Sequence, residues 1–141
     1  MVCRGGRVWA LWRNLIGGAA SARFHEKHLG FTETAQQMIR SARAVTGAID
    51  LFTCAPHPEL AQADGDNTAY CLANPGTEYV VYFTSGGAAE LDISACKSGA
   101  TARWFGIDQG GWIGEEEKRS GASAALQTPG PGQWAAVVRA G

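Results

Sequence analysis

The stretch YCLANPGTEYVVYFTSGG, Tyr70 to Gly87, sets the narrowest limits on what this chain can fold into. Within it, Asn74-Pro75-Gly76-Thr77 supplies proline where φ must stay near about −65° and glycine where φ must turn positive, as a type II turn requires. Apolar runs on both sides of that corner predict a hairpin. In Tyr79-Val80-Val81-Tyr82-Phe83 both alternating sets of side chains are apolar, so the strand is expected at the centre of a sheet, covered on both faces. Tyr79, Val81 and Phe83 would then share one core layer.

The rest of the chain has to provide those covers. Short apolar runs divided by Gly, Pro, Asn and Asp begin at Ile49 and predict strands over Thr68–Ala73, Glu78–Thr84, Glu90–Ile93, Thr101–Ile107, Ala122–Gln127 and Gln133–Arg139. No crossover helices separate them, which predicts antiparallel pairing. Upstream, Val8, Leu11, Trp12 and Leu15 lie at helical spacing, and Gly17-Gly18 would end that helix. A second helix starts at the N-cap Thr32 and runs to Gly47, with Ala35, Met38, Ile39, Ala42 and Val45 as its apolar positions. The expected fold is mainly β (α+β): an antiparallel β-sandwich of about six to eight strands, with one or two N-terminal helices packed on it. The division is a helical segment at 1–47 and a sandwich at 48–141.

Charge is unevenly shared. Residues 1–49 carry seven Arg or Lys against two Glu, and residues 50–141 carry five basic against eleven acidic residues. The basic residues are scattered rather than gathered into the stripe a nucleic-acid surface needs, which favours a basic helical layer on an acidic sheet. Cys3, Cys54, Cys71 and Cys96 form no CxxC pair, and their redox state stays open. The opening MVCRGGRVWALWRNLIGGAASA has a basic start and an apolar middle, but Arg13 and Asn14 interrupt the run too early for a secretion signal, so a cytoplasmic location is the expectation. No apolar run approaches the ~20 residues of a membrane-spanning helix.

Chemistry-bearing clusters are sparse. Glu90 and Asp92 share a strand face, yet they alternate with Leu91 and Ile93 as a solvated face would. Glu115-Glu116-Glu117 reads as a charged surface loop. His25 and His28, or Cys54 and His57, supply only part of a zinc site. Asp64-Gly65-Asp66-Asn67 lacks the distal glutamate of a calcium loop and reads as a turn. Ser85 has no nucleophile elbow around it and no glycine-rich loop opens a helix, so no catalytic residue, metal or cofactor is assigned. Flat aromatics remain as ligand platforms. Trp112, after Gly110-Gly111, is the foremost candidate, followed by Tyr82 and Trp104; Trp104 and Trp134, inside strands, suit core packing equally.

The run AYCLANPGTEYVVYFTSGG, then ELDIS, ARWFGIDQGGW and LQTPGPGQWAAVV, resembles the C-terminal β-sandwich domain that follows the barrel of certain bacterial glycoside hydrolases, a domain catalogued as collagen-binding. The resemblance covers roughly Asn67 to Arg139, and GGAASARFH with GFTETAQQMIRSARAV resembles the segment joining barrel to sandwich. A catalytic barrel spans about 250 residues, which 141 residues cannot contain. The resemblance therefore implies a non-catalytic accessory module that acts by carbohydrate or protein binding or by self-association. Two other readings stand beside it: a small hydrolase-like enzyme using His25, Glu26 or His28 between helix and sheet, and a nucleic-acid binder using Arg23, Lys27, Arg40 and Arg43. The helix face of Val8, Trp9, Leu11, Trp12 and Leu15 needs a cover, and without a barrel the expectation is a homo-oligomer joined through residues 8–24.

Overall fold

A computed structural model describes residues 8–20, 32–65 and 69–141. Nine strands among these form two antiparallel sheets, joined on one side by two helices. The helices are α1 (Val8–Ile16) and α2 (Glu33–Thr46). The strands are β1 (Ala55–Pro56), β2 (Ala61–Ala63), β3 (Ala69–Asn74), β4 (Glu78–Phe83), β5 (Ala88–Asp92), β6 (Ala100–Gly106), β7 (Gly111–Arg119), β8 (Ser123–Gln127) and β9 (Trp134–Ala140). A six-stranded sheet runs in the order β1-β3-β4-β9-β6-β7, and a three-stranded sheet in the order β2-β5-β8.

β4 is the central element foreseen from its two apolar sets, since every one of its residues is buried. Tyr79, Val81 and Phe83 point into the core between the sheets, where they meet Leu91, Ile93, Leu126, Trp104 and Trp134. Val80 and Tyr82 point the other way, into a second core closed by Trp12 and Ile16 of α1 and Val45 of α2. The turn before β4 has Gly76 at φ +83°, and Thr77 N–H donates to the Asn74 carbonyl at 2.9 Å. Beneath it the Tyr79 hydroxyl accepts from Gly76 N–H at 2.8 Å and from the Cys96 thiol at 3.5 Å.

Helix α2 begins as expected, with the Thr32 hydroxyl accepting from Ala35 N–H at 3.2 Å, and buries Ala35, Met38, Ser41 and Val45. Helix α1 lies on the chain's own sheet. Leu11, Trp12 and Ile16 are buried against the chain's own sheet, through an aromatic column in which Trp12 stacks on Tyr82 at 5.8 Å and Tyr82 on Tyr70 at 6.1 Å. Leu11, Trp12 and Ile16 therefore have cover within the chain; of the stretch 8–24 for which self-association was expected, residues 21–24 lie outside the described ones.

Two further differences concern strands. Glu115-Glu116-Glu117 lies in β7, an edge strand whose residues after Trp112 are almost all exposed; a charged edge blocks sheet-to-sheet pairing and erases the apolar alternation that marks a strand in sequence. Strands β1 and β2 are two and three residues long, and Pro56 is tolerated because β1 lies at the other edge.

Candidate ligand-binding cleft

Strand alternation places Thr101, Arg103 and Phe105 of β6 on the sheet face that carries the helices. Across from them, Arg139 pairs in register with Thr101 and Val137 with Arg103. On the other side of β6 the register slips: Ala102 opposes Glu117 and Trp104 opposes Ile113, so Gly114, Glu115 and Glu116 bulge out opposite Arg103 alone. Gly114, at φ +70° with open space around its Cα, makes that bend possible.

The result is a cleft of about 330 Å³ between the end of α2 and the β9-β6-β7 margin, lined by Gly47, Thr101, Arg103, Trp112, Glu116 and Arg139 among others. Trp112 is half-buried. Its ring meets Phe105 edge-on at 5.2 Å and 84°, and the Arg103 guanidinium lies 5.0 Å from its centroid. That cation–π contact holds one face of the indole and stiffens the arginine. Arg103 forms no ion pair among the described residues, and its Nε–H is sealed from solvent with no acceptor. Arg139 is exposed and likewise forms no ion pair among the described residues; Glu78, opposite it in register, uses Oε1 to accept from Asp50 N–H at 2.6 Å instead.

Of the aromatics named from sequence, only Trp112 keeps a surface that a ligand can reach. Tyr82 and Trp104 are corrections. Tyr82 is fully buried in the helix-side core, where its hydroxyl donates to Gln133 Oε1 at 2.7 Å. Trp104 is buried between the sheets, tilted on Phe83 at 5.5 Å and edge-on to Trp134 at 6.3 Å. Trp134 is buried as well, and its indole N–H donates to the carbonyls of Gly130 and Pro131, which ties down the PGPG corner. Phe52 was missed by sequence reasoning. It stands 98 % exposed on a short 3-10 turn, beside a shallow groove that shares Gly47 with the main cleft. The signal for it was slight: one aromatic in the short turn Leu51–Thr53 after Asp50, whose side chain accepts from Phe52 N–H.

The remaining candidates are engaged elsewhere or lie outside the described residues. Glu90 accepts from the Ser123 hydroxyl, and Asp92 accepts from Ser94 N–H at 2.9 Å; the Ser94 side chain first, and its N–H second, hold the Asp92 carboxyl below the usual range. The two therefore serve turn and strand pairing on an exposed face. His57 Nδ1 contacts Glu59 at 2.7 Å, and the Cys54 thiol points to Glu78, its pKa raised first by burial and then by the Glu78 charge. Among the described residues no three His, Cys, Asp or Glu come together as a metal site, and no helix is long and apolar enough to cross a membrane. Arg40 and Arg43 are both exposed on α2. Arg23, His25, Glu26, Lys27, His28, Asp66, Asn67 and Cys3 lie outside the described residues. A third groove, at Ser85–Gly87 and Thr128–Gly132, has neither aromatic nor charged lining.

No family model and no curated protein matches this chain. Solved structures share its fold. One, described as a glycoside hydrolase, is 17 % identical with a TM-score of 0.60, over 86 % of this chain and 29 % of that one. Another, a glycoside hydrolase family 5 protein from Bacteroides vulgatus ATCC 8482, is 18 % identical with a TM-score of 0.57, over 73 % of this chain and 24 % of that one. The chain thus spans less than a third of either neighbour. Its fold is one found as a part of larger glycoside hydrolases; the collagen-binding label attached to the sequence resemblance finds no counterpart in these likenesses.

Proposed function

We propose that this chain is a non-catalytic accessory module of the kind appended to a glycoside hydrolase, and that it binds carbohydrate at the Trp112 cleft. The observation that carries the proposal is the cleft itself: a half-exposed indole beside Arg103, whose Nε–H has no acceptor, and beside Arg139, with no ion pair to either arginine among the described residues. Sugar rings stack their apolar face on such an aromatic while nearby donors and acceptors fix the hydroxyls. Its volume, about 330 Å³, lies at the low end of the ~300–1,000 Å³ of ligand pockets, which suits one or two sugar rings rather than an engulfed polymer. With one face of Trp112 under Arg103, the opposite face is the one left for a ligand.

The placement of the carboxylates supports a binding role over hydrolysis. Glycosidic cleavage needs an acid and a second carboxylate facing each other about 5 to 10 Å apart across a cleft. Among the described residues Glu116 is the only acidic one lining the Trp112 cleft, while Glu90 and Asp92 sit on the other sheet in hydrogen bonds of their own. The test is affinity electrophoresis and calorimetry against a panel of neutral and acidic polysaccharides. Binding by the native chain that Trp112→Ala removes, with its urea midpoint unchanged, is the expected result. Binding that survives Trp112→Ala places the ligand elsewhere and refutes the assignment.

A further inference from the structure

The Trp112 cleft is charged in a way the rest of the sheet is not. The chain from residue 50 onward holds five basic residues against eleven acidic ones, and two of those five, Arg103 and Arg139, line this one cleft. They sit on the same face of neighbouring strands, diagonal to each other and two residues out of direct register. Neither forms an ion pair among the described residues, although carboxylates are abundant in this half. Glu116 is at the rim, yet it is not paired with either arginine. Glu78 is aligned with Arg139, but its bonded oxygen is turned to the backbone of Asp50.

Two arginines on one face with no ion pair among the described residues repel each other, and a guanidinium with a sealed, unbonded Nε–H is a poor way to fill a surface. Arg103 is moreover held in place, since its guanidinium lies over the Trp112 ring, 5.0 Å from the centroid, and this contact restricts the freedom that an arginine on an open surface would keep. A fixed planar guanidinium matches a carboxylate better than it matches a hydroxyl, because two parallel N–H groups meet two carboxylate oxygens. The opposite wall of the cleft is the C-terminal end of α2, at Ala44, Gly47 and Ala48, where the helix presents carbonyl oxygens and the negative end of its dipole. An anion is disfavoured on that wall and hydroxyl donors are favoured. The cleft is therefore polarised, cationic on the sheet side and accepting on the helix side.

We infer that the ligand of this cleft is an acidic sugar, a uronic acid residue of a polysaccharide, whose carboxylate is met by Arg103 and Arg139 while its ring lies on Trp112. This rests on the carbohydrate-binding reading above and narrows it to a substrate class. The hydroxyls then face the carbonyl end of α2, so both walls are used by one ring.

The experiment compares uronans (polygalacturonate, alginate and short oligogalacturonides) with neutral galactan and xylan and with dextran sulfate, by calorimetry at fixed ionic strength. The variants are Arg103→Gln and Arg139→Gln; the latter is at an exposed position and keeps the test alive should Arg103→Gln fold poorly. The expected result is uronan binding at least tenfold tighter than neutral polymer, weakening with added salt, and reduced tenfold or more in either variant. Equal affinity for neutral polymers, or unchanged uronan affinity in both variants, would overturn the acidic-sugar inference and leave the carbohydrate reading standing. Dextran sulfate bound as tightly as uronans would overturn it too, by showing attraction to any polyanion. Failure of every polysaccharide to bind would instead overturn the carbohydrate reading itself.

Discussion

Trp12→Ala tests whether the helical layer is part of this fold's stability or only laid on it. Trp12 is fully buried and stacked on Tyr82 at 5.8 Å and 25°. A large aromatic buries about 150–250 Å², which at ~25 cal/mol per Å² gives about 4–6 kcal/mol. Correcting for compactness of the unfolded chain and for the Cβ that alanine retains lowers this to about 3–4 kcal/mol. One term runs the other way, because the indole N–H of Trp12 is buried without an acceptor, and removing an unsatisfied donor returns about 1 kcal/mol. The net loss is about 2–3 kcal/mol, at or just under the lower end of the ~3–5 seen when large aromatics are cut to alanine. With a urea m-value of ~2 kcal/mol/M the midpoint should fall by about 1–1.5 M, followed in parallel by circular dichroism and fluorescence. Trp12→Phe keeps the stack and loses the orphaned donor, so it should cost less than ~1 kcal/mol. The reasoning fails if Trp12→Ala leaves the midpoint within about 0.3 M of the native one, or if Trp12→Phe is equally damaging. A changed oligomeric state without a change in stability would mean that α1 serves other copies of the chain and not its own sheet.

Two further outcomes follow from the core and the turn. Gly76→Ala should destabilise by about 1–2 kcal/mol, since φ is +83° and a new Cβ would sit 3.1 Å from the Ala95 carbonyl oxygen; Gly65→Ala, at φ +66° in open space, should cost visibly less in the same urea titration. Burial pushes the Tyr79 phenol and the Cys71 thiol up to about 12 and moves Tyr82 higher still. These groups hold their protons in the native state at pH values where the unfolded chain, with tyrosine near about 10 and cysteine near about 8.5, has lost them. Stability should therefore be unaffected by them at neutral pH and fall steadily from about pH 9 to 12. Phenolate absorbance from more than one of the three tyrosines near pH 10, with the fold intact, would contradict this.

What was legible in the sequence was whatever repeats or constrains the backbone. Pro75-Gly76 announced the turn, the doubled apolar alternation of Tyr79–Phe83 announced a strand covered on both sides, and Thr32 with Gly47 bracketed α2. What was hidden lacks a period. The two residues of β1 and three of β2 are held by their neighbours rather than by their own pattern, and β7 carries charge because it is an edge. The aromatics show the same limit from another side. The glycines before Trp112 set it apart from Trp104 and Trp134 in sequence, but which strand face and how near the sheet edge each would lie was not readable there. Arg103 offered a readable signal that was passed over: in ATARWFG it takes the alternating position between Thr101 and Phe105, on the face that covers the sheet. A cation at such a position is either paired or waiting for a partner.

The location of the cleft follows from how far the helical layer reaches. On that face of the six-stranded sheet, β4 and the Ala135–Val137 part of β9 are sealed, Thr101 and Arg103 of β6 are half-covered, and β7 beyond Trp112 is open. Cover thins in one direction because α1 contacts β3 and β4, while α2 stops at Gly47 with its N–H turned back to the Arg43 carbonyl at 2.9 Å. A sheet wider than its helical cover must end in a step, and the residues along the step are neither core nor free surface. An apolar side chain there would be half wet, whereas a stacked Trp and Arg pair can be half buried at little cost, the arginine covering the indole and the indole relieving the guanidinium of part of its hydration. The bulge at Gly114–Glu116 moves the β7 backbone away from Arg103 at the same place, which keeps the acidic run from closing over it. The cleft is thus a product of the fold's own geometry, and what chemistry it admits is decided by four side chains at its margin: Trp112, Arg103, Arg139 and Glu116.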